Sequence, residues 1–134
     1  MYMLDTNILI YAIRHPQDQV TDRIISEAVN GHVCISAITY GELEIGILKS
    51  RDPERNRLAL EAVLTGIPVL SYDSRAAAFY APIRATLEQA GRRVDDPDMM
   101  IGGHAASENC VLVTNNTQHF ARMGILIEDW LQNR

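Results

Sequence analysis

Tyr2-Met3-Leu4-Asp5-Thr6-Asn7-Ile8-Leu9 opens the chain with an apolar triplet, a polar triplet and a second apolar run. A triplet that short is a strand covered on both faces rather than a helix. Asp, Thr and Asn are the residues that start helices, because their side chains accept from the first free N–H groups. The same order returns at Val33–Ser36 ahead of residues 39–50, and at residues 111–114 ahead of Asn115-Asn116-Thr117. Further apolar runs at 69–72 and 125–127 read as two more strands. The amphipathic stretches between them read as helices: 8–14, 21–29, 39–50, Pro53–Leu64, Ser74–Gln89 and 99–108. Ser74–Gln89 is expected to end near Gly91 and to carry a candidate kink at Pro82. Strands separated by helical stretches imply an α/β fold, with a mainly parallel sheet flanked by helices on both faces.

At 134 residues the chain is expected to form one domain, spanning 1–134. It is 47% hydrophobic and 22% charged, a globular balance. No apolar run approaches the ~20 residues of a membrane span. The N-terminus lacks a basic segment followed by a long apolar one, so a cytoplasmic protein without a signal peptide is expected. Cys34 and Cys110 lie in apolar segments and read as reduced core residues. The net charge of −5 argues against a broad phosphate-binding surface. Lys49 is the only lysine, and the remaining basic residues are arginines, which suit phosphate. Composition bias explains that preference equally well.

In open α/β sheets, ligands bind beyond the carboxyl ends of the strands. Asp5 follows the first strand, Ser36 ends the second and leads into Glu42, and Asn115-Asn116 follow the fourth. Asp98 opens a helix just before that fourth strand. Carboxylates gathered at one such edge would repel unless a cation intervened, and oxygen donors suit Mg2+ or Mn2+. Each residue also has a structural explanation. Asp5 can cap the first helix, Thr39 and Glu42 can form a capping box, Asp98 can start a helix, and Asn116-Thr117 can cap a turn ending at Phe120.

The chain resembles the PIN-domain nucleases, and within them the VapC toxins of bacterial toxin–antitoxin pairs. The matching residues are Met3-Leu4-Asp5-Thr6-Asn7, Ile35-Ser36-Ala37-Ile38-Thr39 with Glu42-Leu43 and Gly46, and Ile83-Arg84-Ala85 with Gly91. They continue with Asp98, Met100-Ile101, Gly103-His104-Ala105, Leu112-Val113-Thr114-Asn115-Asn116-Thr117 with Phe120, and Glu128-Asp129-Trp130. The resemblance spans the whole length. It implies that Asp5, Glu42 and Asp98 hold Mg2+, with Mn2+ as a substitute. Asn116 falls where many relatives carry a fourth acid. Thr6 and Thr114 are implied to orient carboxylates or water. It further implies RNA cleavage in an exposed loop, with the initiator tRNA anticodon loop as the candidate target. A cognate antitoxin encoded by a neighbouring gene and a homodimer are the implied partners.

Asp95 and Asp96, beside Asp98, depart from the small residues common in that family, and read as solvated turn residues, with the alternative that they hold a cation or limit which RNAs approach. Arg84, Arg92 and Arg93 are candidates for flanking phosphates. Asp73 reads as a cap, His104 as a buried hydrogen-bonded core residue, Met99-Met100 as packing, and His15, His32 and His119 show no ligand spacing. Two other functions compete. A phosphatase using a strand-end Asp would want a second Asp where Asn7 stands, and Lys49 has no evident reach. A catalytically silent binding module would not be expected to keep all three acids, since buried clustered charge is costly.

Overall fold

The computed structural model describes residues 1–92 and 94–132. Five strands, β1 (Tyr2–Leu4), β2 (Val33–Ser36), β3 (Val69–Leu70), β4 (Val111–Val113) and β5 (Ile127–Glu128), form one sheet in the order β3-β2-β1-β4-β5. Every pairing is parallel. The chain builds outward from β1 on one side and then returns to lay β4 on the other. β1 is therefore the topological switch point, where a ligand crevice forms.

The sheet is buried by helices α1 (Thr6–Arg14), α2 (Gln19–Val29), α3 (Ala37–Leu48), α4 (Pro53–Leu64), α5 (Ser74–Gln89), α6 (Asp96–Ser107) and α7 (Thr117–Phe120). Successive strand residues point to opposite faces. Leu4, Val33, Ile35 and Val113 therefore join one apolar cluster with Ile8 and Leu9 of α1, Ile24 of α2, Leu43 of α3 and Leu60 of α4. Met3, Cys34 and Leu112 sit in register on the other face, against Leu87 of α5, Ile101 of α6 and Phe120 of α7. Both faces are covered, as the uninterrupted apolar strands require.

Several boundaries differ from the sequence expectation. α1, α2 and α6 begin two or three residues early, because apolar periodicity does not register the polar residues that open a first turn, and α3 begins two residues early because its N-cap is Ser36 rather than Thr39. β3 is shorter than 69–72, and β5 lies at Ile127–Glu128 rather than 125–127. Pro82 lies inside the continuous α5, and the chain leaves this helix through Gly91 at φ +66°. Cys34 and Cys110 are buried free thiols, as expected, with their sulfurs 3.9 Å apart.

Gly103 sets the distance between α5 and α6. A Cβ there would lie 2.7 Å from the Tyr80 backbone nitrogen and 2.8 Å from its Cα, so the two helix backbones touch. That contact fixes the tilt of α6 and hence the place of Asp98 in its first turn.

Candidate active site

Asp5 is both a helix cap and part of a charged cluster. It is the N-cap of α1, in extended conformation, and its Oδ1 accepts from the Ile8 N–H at 2.9 Å. Its Oδ2 accepts from the Thr114 hydroxyl at 2.5 Å. Asp5 is only 4% exposed. Burial pushes its pKa up to about 6, the two hydrogen bonds pull against that, and the charges of Asp98 and Glu42 push it up further.

Glu42 corrects the capping-box alternative. α3 starts at Ala37, its N-cap is Ser36, and the Ser36 hydroxyl accepts from the Ile38 N–H at 3.1 Å. Thr39 is therefore inside the helix, and Glu42 cannot reach back to an N-cap one turn before it. Instead Glu42 Oε1 accepts from the Thr6 hydroxyl at 2.5 Å, which ties α3 to the start of α1. Thr6 and Thr114 thus each hold one of the predicted carboxylates.

Asp98 lies within the first turn of α6 rather than opening it, where the helix dipole favours a negative charge. His119 Nδ1 stands 2.8 Å from Asp98 Oδ2 and 2.7 Å from Asn116 Nδ2. An amide NH2 only donates, so the single hydrogen on that nitrogen goes to the Asp98 carboxylate, and the Asn116 amide is a close neighbour of the ring rather than its acceptor. Asn116 takes the N-cap position of α7, but its side chain makes no cap bond. Its backbone N–H donates to Thr114 Oγ1 at 2.9 Å. An arc of contacts therefore runs from Asp5 through Thr114 and Asn116 to His119 and Asp98. His119 is the site residue that sequence reading missed. The available signal was its place one turn after Asn116 on a short helix following β4.

Other expectations resolve as follows. Asp73 caps α5, accepting from the Ala76 N–H at 2.9 Å. His104 is fully buried, and its Nδ1 lies 2.7 Å from Ser36 Oγ. Met99 packs in the core. Asp96 is not a free turn residue: its Oδ1 accepts from Tyr80 Oη at 3.0 Å and from Arg84 Nη1 at 3.1 Å. Arg84 also donates to Glu88 Oε1 at 2.7 Å, so its charge is committed within the protein rather than open to phosphate. Arg93 lies outside the described residues, while Arg92 is exposed.

Among the described residues, no three His, Cys, Asp or Glu side chains form a ready-made metal cage. Magnesium does not need one, since it keeps several waters and takes one or two carboxylates beside substrate phosphate. The donors are oxygens, and Asp5 feels the charge of two other acids, which is the chemistry a hard divalent cation relieves.

The sequence and the fold both match those of known proteins. The profile of the PIN domain matches residues 2–126. The chain is 45% identical over 130 residues to the tRNA(fMet)-specific endonuclease VapC of Shigella flexneri, covering 96% of this chain and 97% of that protein. It is 35% identical over 131 residues to Ribonuclease VapC2 of Rickettsia felis, covering 97% and 98%. The crystal structure of Rickettsia felis VapBC2 bound to a promoter DNA fragment superposes with a TM-score of 0.90 at 35% identity, covering 96% of this chain and 98% of that one. DNA-bound VapBC of Salmonella typhimurium gives 0.89 at 42% identity, covering 96% and 97%.

Proposed function

The chain belongs to the PIN-domain family, and on that footing we propose that it is a metal-dependent endoribonuclease, the toxin of a toxin–antitoxin pair. The observation that carries the reading is that Asp5, at the carboxyl end of β1, is buried and feels the charge of both Asp98 and Glu42. Distant hydroxyl and imidazole groups hold each acid in place. Asp5 and Asp98, with Glu42, would hold Mg2+ or Mn2+. A divalent ion there supplies Lewis acidity toward a phosphodiester and toward the attacking water. Ile8 and Thr114 fix both oxygens of Asp5, Thr6 fixes Glu42, and His119 aims Asp98. Asn116, at the position where many PIN domains carry a fourth acid, contributes an amide beside that arc and no charge.

The substrate is RNA cut in an exposed loop, where unpaired bases can splay out. The anticodon loop of initiator tRNA is the first candidate, by likeness to the tRNA(fMet)-specific relative. An antitoxin encoded alongside would block the site, as the VapBC complexes of the relatives suggest. Residues 1–134 would act as a single nuclease domain, paired as a homodimer in the cytoplasm.

The test is to incubate the purified chain, and its Asp5→Asn variant, with total cellular RNA in Mg2+, in Mn2+ and in chelator, and to map new 5′ ends. Ends that need a divalent ion and vanish in the variant support the enzyme, and enrichment at one anticodon loop supports the tRNA target. Cuts elsewhere alone overturn the target. No new ends with either ion would leave a silent binding module.

A further inference from the structure

Two clefts meet along a ridge formed by Leu87, Arg92 and Val94, and they differ in charge. The first, about 660 Å³, carries Glu88, Asp95 and Asp96 as well as Arg84 and Arg92. Its acids outnumber its arginines, and Arg84 is already paired with two of them. The second, about 630 Å³, lies between the C-terminal end of α5 and α7. Among the described residues its charged walls are Arg92 and Arg122, without a carboxylate, and Gln118 adds an amide. Both arginines are exposed, and among the described residues neither pairs with an acid. His119 lines this same cleft and touches Asp98, so the cleft opens directly onto the candidate active site.

We infer that this second cleft carries the RNA strand flanking the cut, with Arg92 and Arg122 gripping its backbone phosphates. The inference rests on the ribonuclease reading and adds the path of the strand. The chain has a net charge of −5, so a pocket whose charged walls among the described residues are arginines, beside the three acids, is a local reversal of the molecule's field. A polyanion meeting this surface is repelled by the Asp95–Asp96 side and held on the Arg92–Arg122 side. Guanidinium groups give phosphate a paired set of donors, and Leu87 and Val94 give the sugar and base an apolar floor. The scissile phosphate would then lie at Asp98 and Asp5, with its neighbour beyond His119.

Binding, rather than cleavage, tests the inference. A short fluorescein-labelled single-stranded RNA is titrated with the chain in chelator across a salt series, and the slope of log affinity against log salt is read. Two phosphate contacts contribute about 1.4 to that slope, at ~0.7 each on a single strand. R92A/R122A should lower the slope by about that amount, R92K/R122K should restore most of it, and Arg55→Ala on α4 should leave it alone. An unchanged slope in R92A/R122A overturns the inference while wild-type binding keeps the nuclease reading. So does an unchanged slope together with a weakened antitoxin complex, which would give the cleft to an acidic stretch of the partner. Failure of the wild type to bind any RNA would instead bring down the ribonuclease reading, and the strand path with it.

Discussion

Asp5 and Asp98, the two aspartates of the proposed site, rest on unequal support. Asp5 is 4% exposed, with one oxygen held by a backbone N–H of its own helix and the other by the hydroxyl of Thr114. The Asp98 side chain is 24% exposed and is held at Oδ2 by the His119 ring, itself 43% exposed. A strand-end acid inherits rigidity from the sheet: Thr114 follows β4, which pairs with β1. A helix acid inherits only the packing of its helix, and for α6 that packing runs through the Gly103–Tyr80 contact. The rigid half is suited to fixing a charge in space, and the softer half to adjusting as substrate arrives.

The largest effect expected is the loss of either acid. Asp5→Asn and Asp98→Asn should each lower RNA cleavage by roughly 10³-fold, about 4 kcal/mol in the barrier. They should differ in stability. Asp5→Asn removes a buried carboxyl under repulsion and should raise the melting temperature of the metal-free chain, while Asp98→Asn should leave it nearly unmoved. Equal shifts in the two melting curves would erase the contrast. Glu42→Gln belongs with them: Ser36 is the cap of α3, so the change should cost rate without weakening the helix.

His119 sharpens the comparison at the next level. Partners that orient metal-binding groups are worth about 10–100-fold in affinity or activity. His119→Ala should weaken Mg2+ binding by that factor in calorimetry, and His119→Asn, which can still donate to Asp98, should recover part of it. Thr114→Val should do comparable damage through Asp5. A silent His119→Ala would mean that Asp98 needs no guide.

Proton linkage separates the halves again. Asp5 keeps its proton up to about pH 6 in the folded chain, whereas an unfolded chain releases it near ~3.9. The folded state binds the extra proton, so this stabilisation is full below about pH 4 and is lost as pH rises through 6. It is worth up to about 3 kcal/mol. Urea unfolding in chelator should show that decline between pH 4 and 6, Asp5→Asn should flatten it, and a decline that survives the variant would assign it elsewhere.

The two halves were also unequally legible in the sequence. Asp5 and its helix are a local pattern, an apolar triplet followed by Asp-Thr-Asn, and that pattern names the strand, the cap and the acid at once. The α/β order and the two covered faces follow from the same alternation. What periodicity could not supply was side-chain pairing across the sequence. The Thr6–Glu42 bond joins residues 36 apart, and His119 meets Asp98 across 21. The capping-box alternative at Glu42 arose because two N-cap candidates, Ser36 and Thr39, stand three residues apart, and only the end of β2 decides between them. Arg84 failed as a phosphate ligand for a related reason. Glu88, one turn on, and Asp96, on the next helix, neutralise it.

The smallest effect expected lies behind the site, at Ser36. Its hydroxyl accepts from the Ile38 N–H and meets His104 Nδ1 at 2.7 Å, in a fully buried setting against the edge of the Tyr72 ring. Burial lowers the His104 pKa, so the ring is neutral at neutral pH. Ser36→Ala removes a cap and strands a buried imidazole nitrogen, at a cost of about 1–2 kcal/mol in unfolding free energy. Because no bond of Ser36 reaches the three acids, the cost should appear as stability alone, with cleavage per folded molecule within about twofold of wild type. The His104 stabilisation works in the opposite sense to that of Asp5: it is present above pH ~6.5 and lost as pH falls through the lowered folded value. Acid unfolding of the chain is then a balance of the two, and Asp5→Asn should make the protein more acid-sensitive relative to its own stability at pH 7. A cleavage rate that fell with Ser36→Ala as steeply as with Thr114→Val would show that the helix behind β2, and not the strand-end bonds alone, sets the geometry of the acids.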